Sequence, residues 1–442
     1  MNSHSPAAVA VVSATGMTAI LSIRYSVLPT AALSACLLGV AAAAVPPGTR
    51  IGLGNSRFRG KYSPGRAYNR THDPGAGAVH PAAGGVLAMT AANPSGARFE
   101  ILHIAPRQGH AGVYGPSCEA LAELALREVN AHGGVLGREL CLTMVDGGAE
   151  PGRLGAEVSA LLATGMVQAV TGSPNAAGRG PVMRAAAGRA VPCVFGIGHD
   201  GMAPSQSGTF MIGEHPGALT YATMRWLYRE YGLRNWAIVT TDYRWTLRMT
   251  ARLRRRVAAP HRVLAEFVLP MGVYEFTGVL TDPRLDAADG VLLFLFPGDA
   301  VRFNRAFTES GRARYQVRLG PSFDENILLA GGPAANRNVF VASSTLLDPA
   351  QDRELRDRYL RTRNDFAPAI GRFAYGSYLS VQALRTMVEA VGAPSIPGIH
   401  AALSERSVLA GPGGEFRFWD DQILRPVRIA HADGVDLTLL TG

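Results

Sequence analysis

From Phe99 onward the chain alternates short apolar runs with amphipathic stretches, and this rhythm restricts it to few folds. Strand-like runs fall at Phe99-Ile104, Glu139-Val145, Val167-Thr171, Val191-Phe195, Trp236-Thr240, Arg262-Val268, Gly290-Phe296, Gln316-Gly320 and Val339-Ala342. Helical spacing, with apolar residues three and four apart, fills most of the gaps between them. Strands and helices alternating at this interval build parallel sheets covered by helices on both faces. About nine such strands are too many for one compact wound sheet, and the pattern breaks at Phe210-Pro216 before it restarts. The expectation is an α/β fold of two Rossmann-like lobes joined by a multi-strand hinge, with a ligand cleft between them at the carboxyl ends of the strands. Lobe 1 is assigned residues 99–215 and 345–405, and lobe 2 residues 216–344 and 406–432.

Residues 1–98 are of another kind. Gly, Pro, Ala and Arg dominate positions 46–98, which hold too few large apolar groups to offset the entropy of ordering, so disorder is expected there. Of the formal charge of +9, most lies in this extension, where the only acid is Asp73. The remainder of the chain is close to neutral, which argues against a basic groove for direct nucleic-acid binding. Lys61 is the only lysine, so the arginine richness reads as base-composition bias. Cys36, Cys118, Cys141 and Cys193 have no metal-ligand spacing and suit buried thiols, so no metal site or cofactor is expected. The chain contains no G-x-S-x-G, H-E-x-x-H or G-x-x-x-x-G-K sequence, which removes the commonest signatures of hydrolases, zinc proteases and nucleotide enzymes.

The most specific stretch is Glu128-Val129-Asn130-Ala131-His132-Gly133-Gly134-Val135-Leu136-Gly137-Arg138. A helix ends on Gly133, and Gly137 turns the chain into the next strand. This string resembles the signature of type I periplasmic binding proteins, in the branch of the leucine/isoleucine/valine receptors, the urea receptors and the amide sensor of aliphatic amidase operons. Val170-Thr171-Gly172, Thr241-Asp242-Tyr243 and the Gly411-Pro412-Gly413-Gly414-Glu415-Phe416 turn extend the resemblance from about Phe99 to Ala430, and Asp242-Tyr243-Arg244-Trp245 looks closest to the amide and urea receptors.

The resemblance implies a non-catalytic receptor that closes on a small polar solute. Its ligand loop would be Ser173, Asn175 and Ala176, with Ala176 where the amino-acid receptors carry a carboxylate-binding serine. Ser322 stands near the position of their ammonium-binding acid. With both partners missing, an amide- or urea-like ligand is expected in place of a zwitterion. Phe195, Gly196 and Ile197 are expected on the first lobe, facing Tyr243, Trp245, Phe296 and Phe323 on the second.

Two outputs follow from the resemblance. An exported protein would deliver solute to a membrane permease as the binding component of an ABC-type transporter, and a cytoplasmic amide sensor would act on a regulatory protein. Leu33-Ser34-Ala35-Cys36 has the form of a lipobox, the surrounding apolar run also reads as a signal peptide or an anchor, and Met89 offers an internal start. These stand as alternatives, and homo-oligomerisation is left open.

Overall fold

The computed structural model describes residues 98–198, 208–344, 351–363, 367–406, 408–411, 414–419, 422–423 and 426–441. The disorder, lipobox and start-site expectations therefore lie outside the described residues.

Two sheets organise the described chain. The first contains β1 (Phe99–Ala105), β2 (Leu140–Asp146), β3 (Val167–Gly172), β4 (Cys193–Phe195) and β5 (Thr209–Met211). They stand in the order β5-β4-β3-β1-β2, all parallel. The second contains β6 (Asn235–Thr241), β7 (Arg262–Leu269), β8 (Gly290–Phe294), β9 (Val317–Gly320) and β10 (Val339–Ser343), again parallel, in the order β10-β9-β8-β6-β7. Near the C-terminus, β11 (Val408–Gly411), β12 (Gly414–Trp419) and β13 (Gln422–Ile423) extend the first sheet beyond β5. β14 (Arg428–Asp433) and β15 (Asp436–Thr441) extend the second beyond β10 in antiparallel fashion. The strands of 408–423, expected in the second lobe, thus join the first sheet, and the next strand, from Arg428, joins the second. Strands of two to six residues after a helix carry too little periodicity to declare their sheet.

The helices cover the sheet faces as expected: α1 (Gly115–Ala131), α2 (Pro151–Ala163) and α3 (Ala176–Ala187) with the first sheet; α4 (Pro216–Tyr231), α5 (Arg244–Arg256), α6 (Pro297–Glu309) and α7 (Glu325–Gly331) with the second. α8 (Gln351–Arg363), α9 (Arg372–Val391) and α10 (Ile396–Glu405) follow. Several starts are written locally. Pro151, Pro216 and Pro297 occupy first turns, where a missing N–H costs nothing. Asn175 caps α3 by accepting from the Gly178 N–H at 2.7 Å. At the end of α1, Gly133, Gly134 and Gly137 all have positive φ, and a Cβ on Gly134 would lie 1.8 Å from the Arg138 carbonyl oxygen. The glycine-rich signature is therefore a backbone requirement at three positions.

β8 and β10 are buried at every position, as parallel strands covered on both faces must be. Cys118, Cys141 and Cys193 are free thiols, and burial pushes Cys118 and Cys193 up to about 12, which keeps them protonated. Among the described residues no helix is long and apolar enough to cross a membrane, and no three His, Cys, Asp or Glu side chains gather as a metal site.

Candidate functional site

A cavity of about 90 Å³ is lined by residues that follow strands of both sheets. The chain leaves its parallel strands toward it: Pro106 follows β1, Ser173 follows β3, Tyr243 follows β6 and Phe296 follows β8. This is the carboxyl edge, where an open α/β sheet binds its ligand. Eight of the eleven residues expected from the sequence line the cavity: Ser173, Asn175, Ala176, Ile197, Tyr243, Trp245, Phe296 and Ser322.

Three do not. Phe195 is fully buried in the first lobe's core, packed with residues such as Leu102 and Val170. Phe323 is fully buried too, its ring so close to Gly320 that a Cβ there would come within 2.2 Å of it. Gly196 has a different task. Its backbone meets that of Gly376 on α9 so closely that a Cβ would lie 2.0 Å from the Gly376 carbonyl oxygen. The position requires glycine for packing, and sequence alone gave no sign of the distant partner.

Tyr243 and Trp245 reach the cavity from the start of a helix. Tyr243 is the extended residue preceding α5, and Trp245 lies in the first turn of that helix. The Tyr243 hydroxyl accepts a hydrogen bond from the Ala177 N–H at 2.8 Å, joining the second lobe to the first turn of α3. Burial raises the Tyr243 pKa, opposed by the Ala177 N–H and the Arg179 charge, so the phenol stays protonated. Its ring meets Phe296 edge-on at 4.7 Å, and across the cavity Tyr114 stacks on Phe373 at 4.1 Å.

In this mostly apolar chamber two polar atoms are conspicuous. Ser173 Oγ and Trp245 Nε1 are both buried and have no protein hydrogen-bond partner. No carboxylate lines the cavity among the described residues, whereas Arg179 and Arg372 do. The Arg372 charge is met by Glu214 at 2.9 Å. Arg372 stands at the start of α9, and it also donates to the Pro321 and Ala342 carbonyl oxygens at the ends of β9 and β10. Glu214, on the first crossing segment, accepts from the Ser343 hydroxyl and from the Ser344 N–H at 2.6 Å. The cavity floor is therefore tied to two of the crossing segments by a buried ion pair. Behind it Asp324 caps α7 through Oδ1, while Oδ2 is buried without a hydrogen-bond partner. Burial and then the Glu325 charge raise the Asp324 carboxyl to about 7, with Arg372 acting in the opposite direction.

Sequence reasoning missed Tyr114, Arg179, Arg372 and Phe373. Arg372-Phe373 opens a long helix far along the chain, and nothing local points it at β9 and β10. Arg179 lies four residues beyond the Asn175 cap, which places it in the first turn of α3, and that spacing could have flagged it.

Two lobes of parallel sheet with a cavity at their facing carboxyl edges define a solute-binding receptor fold. The periplasmic binding protein family model matches residues 99–436, and the chain belongs to that family. It is similar in structure to the branched-chain amino acid transporter substrate binding protein LivJ from Streptococcus pneumoniae, in complex with isoleucine, at 18% identity and a TM-score of 0.67, covering 77% of this chain and 97% of that one. A solute binding protein of an ABC transporter from R. palustris, in complex with benzoate, gives 18% identity and a TM-score of 0.65 over 78% and 95% of the two chains. The leucine binding protein LivK from Thermotoga maritima gives 14% and 0.66 over 78% and 98%. No curated protein matches the chain in sequence. At these identities the structural neighbours report the fold alone. None of the three structures named is described as an amide sensor, and the chain is a non-catalytic member of a solute-binding family.

Proposed function

We propose that this protein is the exported solute-binding component of an ABC-type transporter, closing on a small neutral solute with an amide- or urea-like head and delivering it to a membrane permease. The observation that carries the reading is the pair of unpartnered polar atoms, Ser173 Oγ and Trp245 Nε1, in a mostly apolar cavity that no carboxylate lines among the described residues. An indole N–H only donates, and a hydroxyl can accept. An amide offers a carbonyl to the first and an N–H to the second. An α-ammonium group would be buried there without an anion, at a cost of several kcal/mol. Ser173, Asn175, Ala176, Ile197, Tyr243, Trp245, Phe296 and Ser322 are the proposed contacts.

A specific observation favours a second reading. Arg179 and Arg372 both line the cavity, and guanidinium groups suit a carboxylate attached to an apolar body. The structures holding isoleucine and benzoate lend this support. The named neighbours include transporter components, which favours a permease over a regulatory protein as the partner.

A thermal-shift panel separates the readings, because a ligand that binds only the folded state raises the melting temperature. Acetamide, butyramide and urea are compared with leucine and benzoate. Stabilisation by the amides with leucine and benzoate silent supports the proposal. Stabilisation by benzoate or leucine with the amides silent rejects it.

A further inference from the structure

Charge is distributed unevenly over the second lobe. α4 and α5 both run antiparallel to the strands between them, so their last turns meet at the amino-terminal end of the second sheet, opposite the ligand cavity. That end collects arginines. Arg225 and Arg229 come from the C-terminal half of α4, and Arg252, Arg255 and Arg256 from the last turns of α5. Arg234 and Arg262 stand where β6 and β7 begin, and the Arg262 N–H donates to the Arg234 carbonyl oxygen at 2.8 Å. The Arg225 charge acts on His261, beside Arg262, and Arg234 lies over the Tyr228 ring of α4 at 5.2 Å. The arginines of α4 and of the β6 and β7 starts are thereby neighbours, and α5, which packs against α4, brings its last turns to the same end of the sheet.

Few acids offset it. α5 contains no acidic residue. Glu266 pairs with Arg254 at 2.9 Å, Glu230 stands beside Arg229, and the Asp289 carboxylate accepts from the Arg234 and Asn235 N–H groups at 2.7 Å. Cations in the last turn of a helix are ordinarily explained by the macrodipole, an effect confined to that turn. It does not account for Arg225, Arg234 and Arg262. Base composition explains why these residues are arginine and not lysine, but it does not explain their segregation in a chain whose body is nearly neutral.

The geometry points to docking of this end of the second lobe on an anionic phospholipid surface through its phosphate groups. Guanidinium is the side chain best matched to phosphate. A protein interface would need a central apolar cluster to supply most of its affinity. The exposed large apolar side chains flanking the arginines are Tyr231, 49% exposed, and Leu264, 36% exposed. A tyrosine beside basic residues suits the polar layer of a bilayer. Docking from the end opposite the cavity leaves the cavity free to open.

The test is co-sedimentation of the full chain with phosphatidylcholine vesicles and with vesicles containing about one-third phosphatidylglycerol, at low and high salt. Binding is expected to the anionic vesicles only and to weaken with salt, because exposed charges are screened. Replacing Arg229, Arg252 and Arg255 together by Gln should reduce the partition constant by roughly 100-fold, at about fivefold per charge, while replacing the three by Lys should retain binding. Because residues 1–98 are present in every variant, their own basic charge cancels from the comparison. Equal binding by the Gln variant and the parent protein, no binding by the parent, or binding insensitive to salt would each overturn the proposal. Should the Gln variant melt early, the Lys variant and the salt series still decide it.

Discussion

Replacing Trp245 by Phe separates what the indole does for the ligand from what it does for the fold. The side chain lines the cavity and also packs against the second lobe's core beside Met249 and Leu253. Phenylalanine keeps most of that packing and deletes one buried N–H that has no protein partner. A hydrogen bond to a bound carbonyl contributes about 0.5–1.5 kcal/mol, so ligand affinity should fall roughly 2- to 13-fold. A buried donor without a partner costs about 1–3 kcal/mol, offset where water reaches it. The ligand-free variant should therefore melt at the same temperature as the parent protein or higher. Calorimetric titration with the solute that gives the thermal shift reads the first quantity, and a melt without solute reads the second. Unchanged affinity would refute the assignment of Nε1 to the ligand. A lower melting temperature with affinity intact would make Trp245 a core residue only.

Tyr243→Phe removes the hydrogen bond that crosses between the lobes to Ala177; solute affinity should drop by about 1 kcal/mol, mainly as faster release in a stopped-flow experiment. Gly196→Ala drives a methyl into the Gly376 carbonyl, and overpacking of this kind should cost about 1–3 kcal/mol in denaturant titrations. Asp324 has a folded-state pKa raised from 3.8 to about 7. Its stabilising contribution is therefore complete below about pH 4 and is lost as pH rises through 7. Urea unfolding of the parent protein should show stability falling between about pH 4 and 7, by up to about 4 kcal/mol from this group, and Asp324→Asn should flatten that slope; equal slopes in the two proteins would count against it.

Much of the fold was legible because parallel strands buried on both faces are continuous apolar runs. Val291-Leu292-Leu293-Phe294 and Trp236-Ala237-Ile238-Val239 announce themselves, and helices opened by Pro151, Pro216 and Pro297 declare where they begin. What escaped was short or distant. Thr209–Met211 and Gln422–Ile423 are too brief for a period to appear, and the membership of 408–423 in the first sheet rests on pairing between Gln422 and Met211. The cavity divides in the same way. Ser173, Tyr243 and Phe296 were legible as cavity-lining residues because they stand at or within three residues of the ends of apolar runs, at the strand ends. Phe195 and Phe323 were misplaced because an aromatic residue near a strand end can point into the core as readily as into the cleft. Arg372 was missed because its partners, Glu214, Pro321 and Ala342, are brought to it only by the fold.

The central claim is that one solute is held by both lobes at once. Amide hydrogen exchange with and without saturating butyramide tests it directly. Slower exchange should appear together in residues 173–179 of the first lobe and 243–247 of the second. Protection confined to one lobe, or none at a butyramide concentration that raises the melting temperature, would contradict the account.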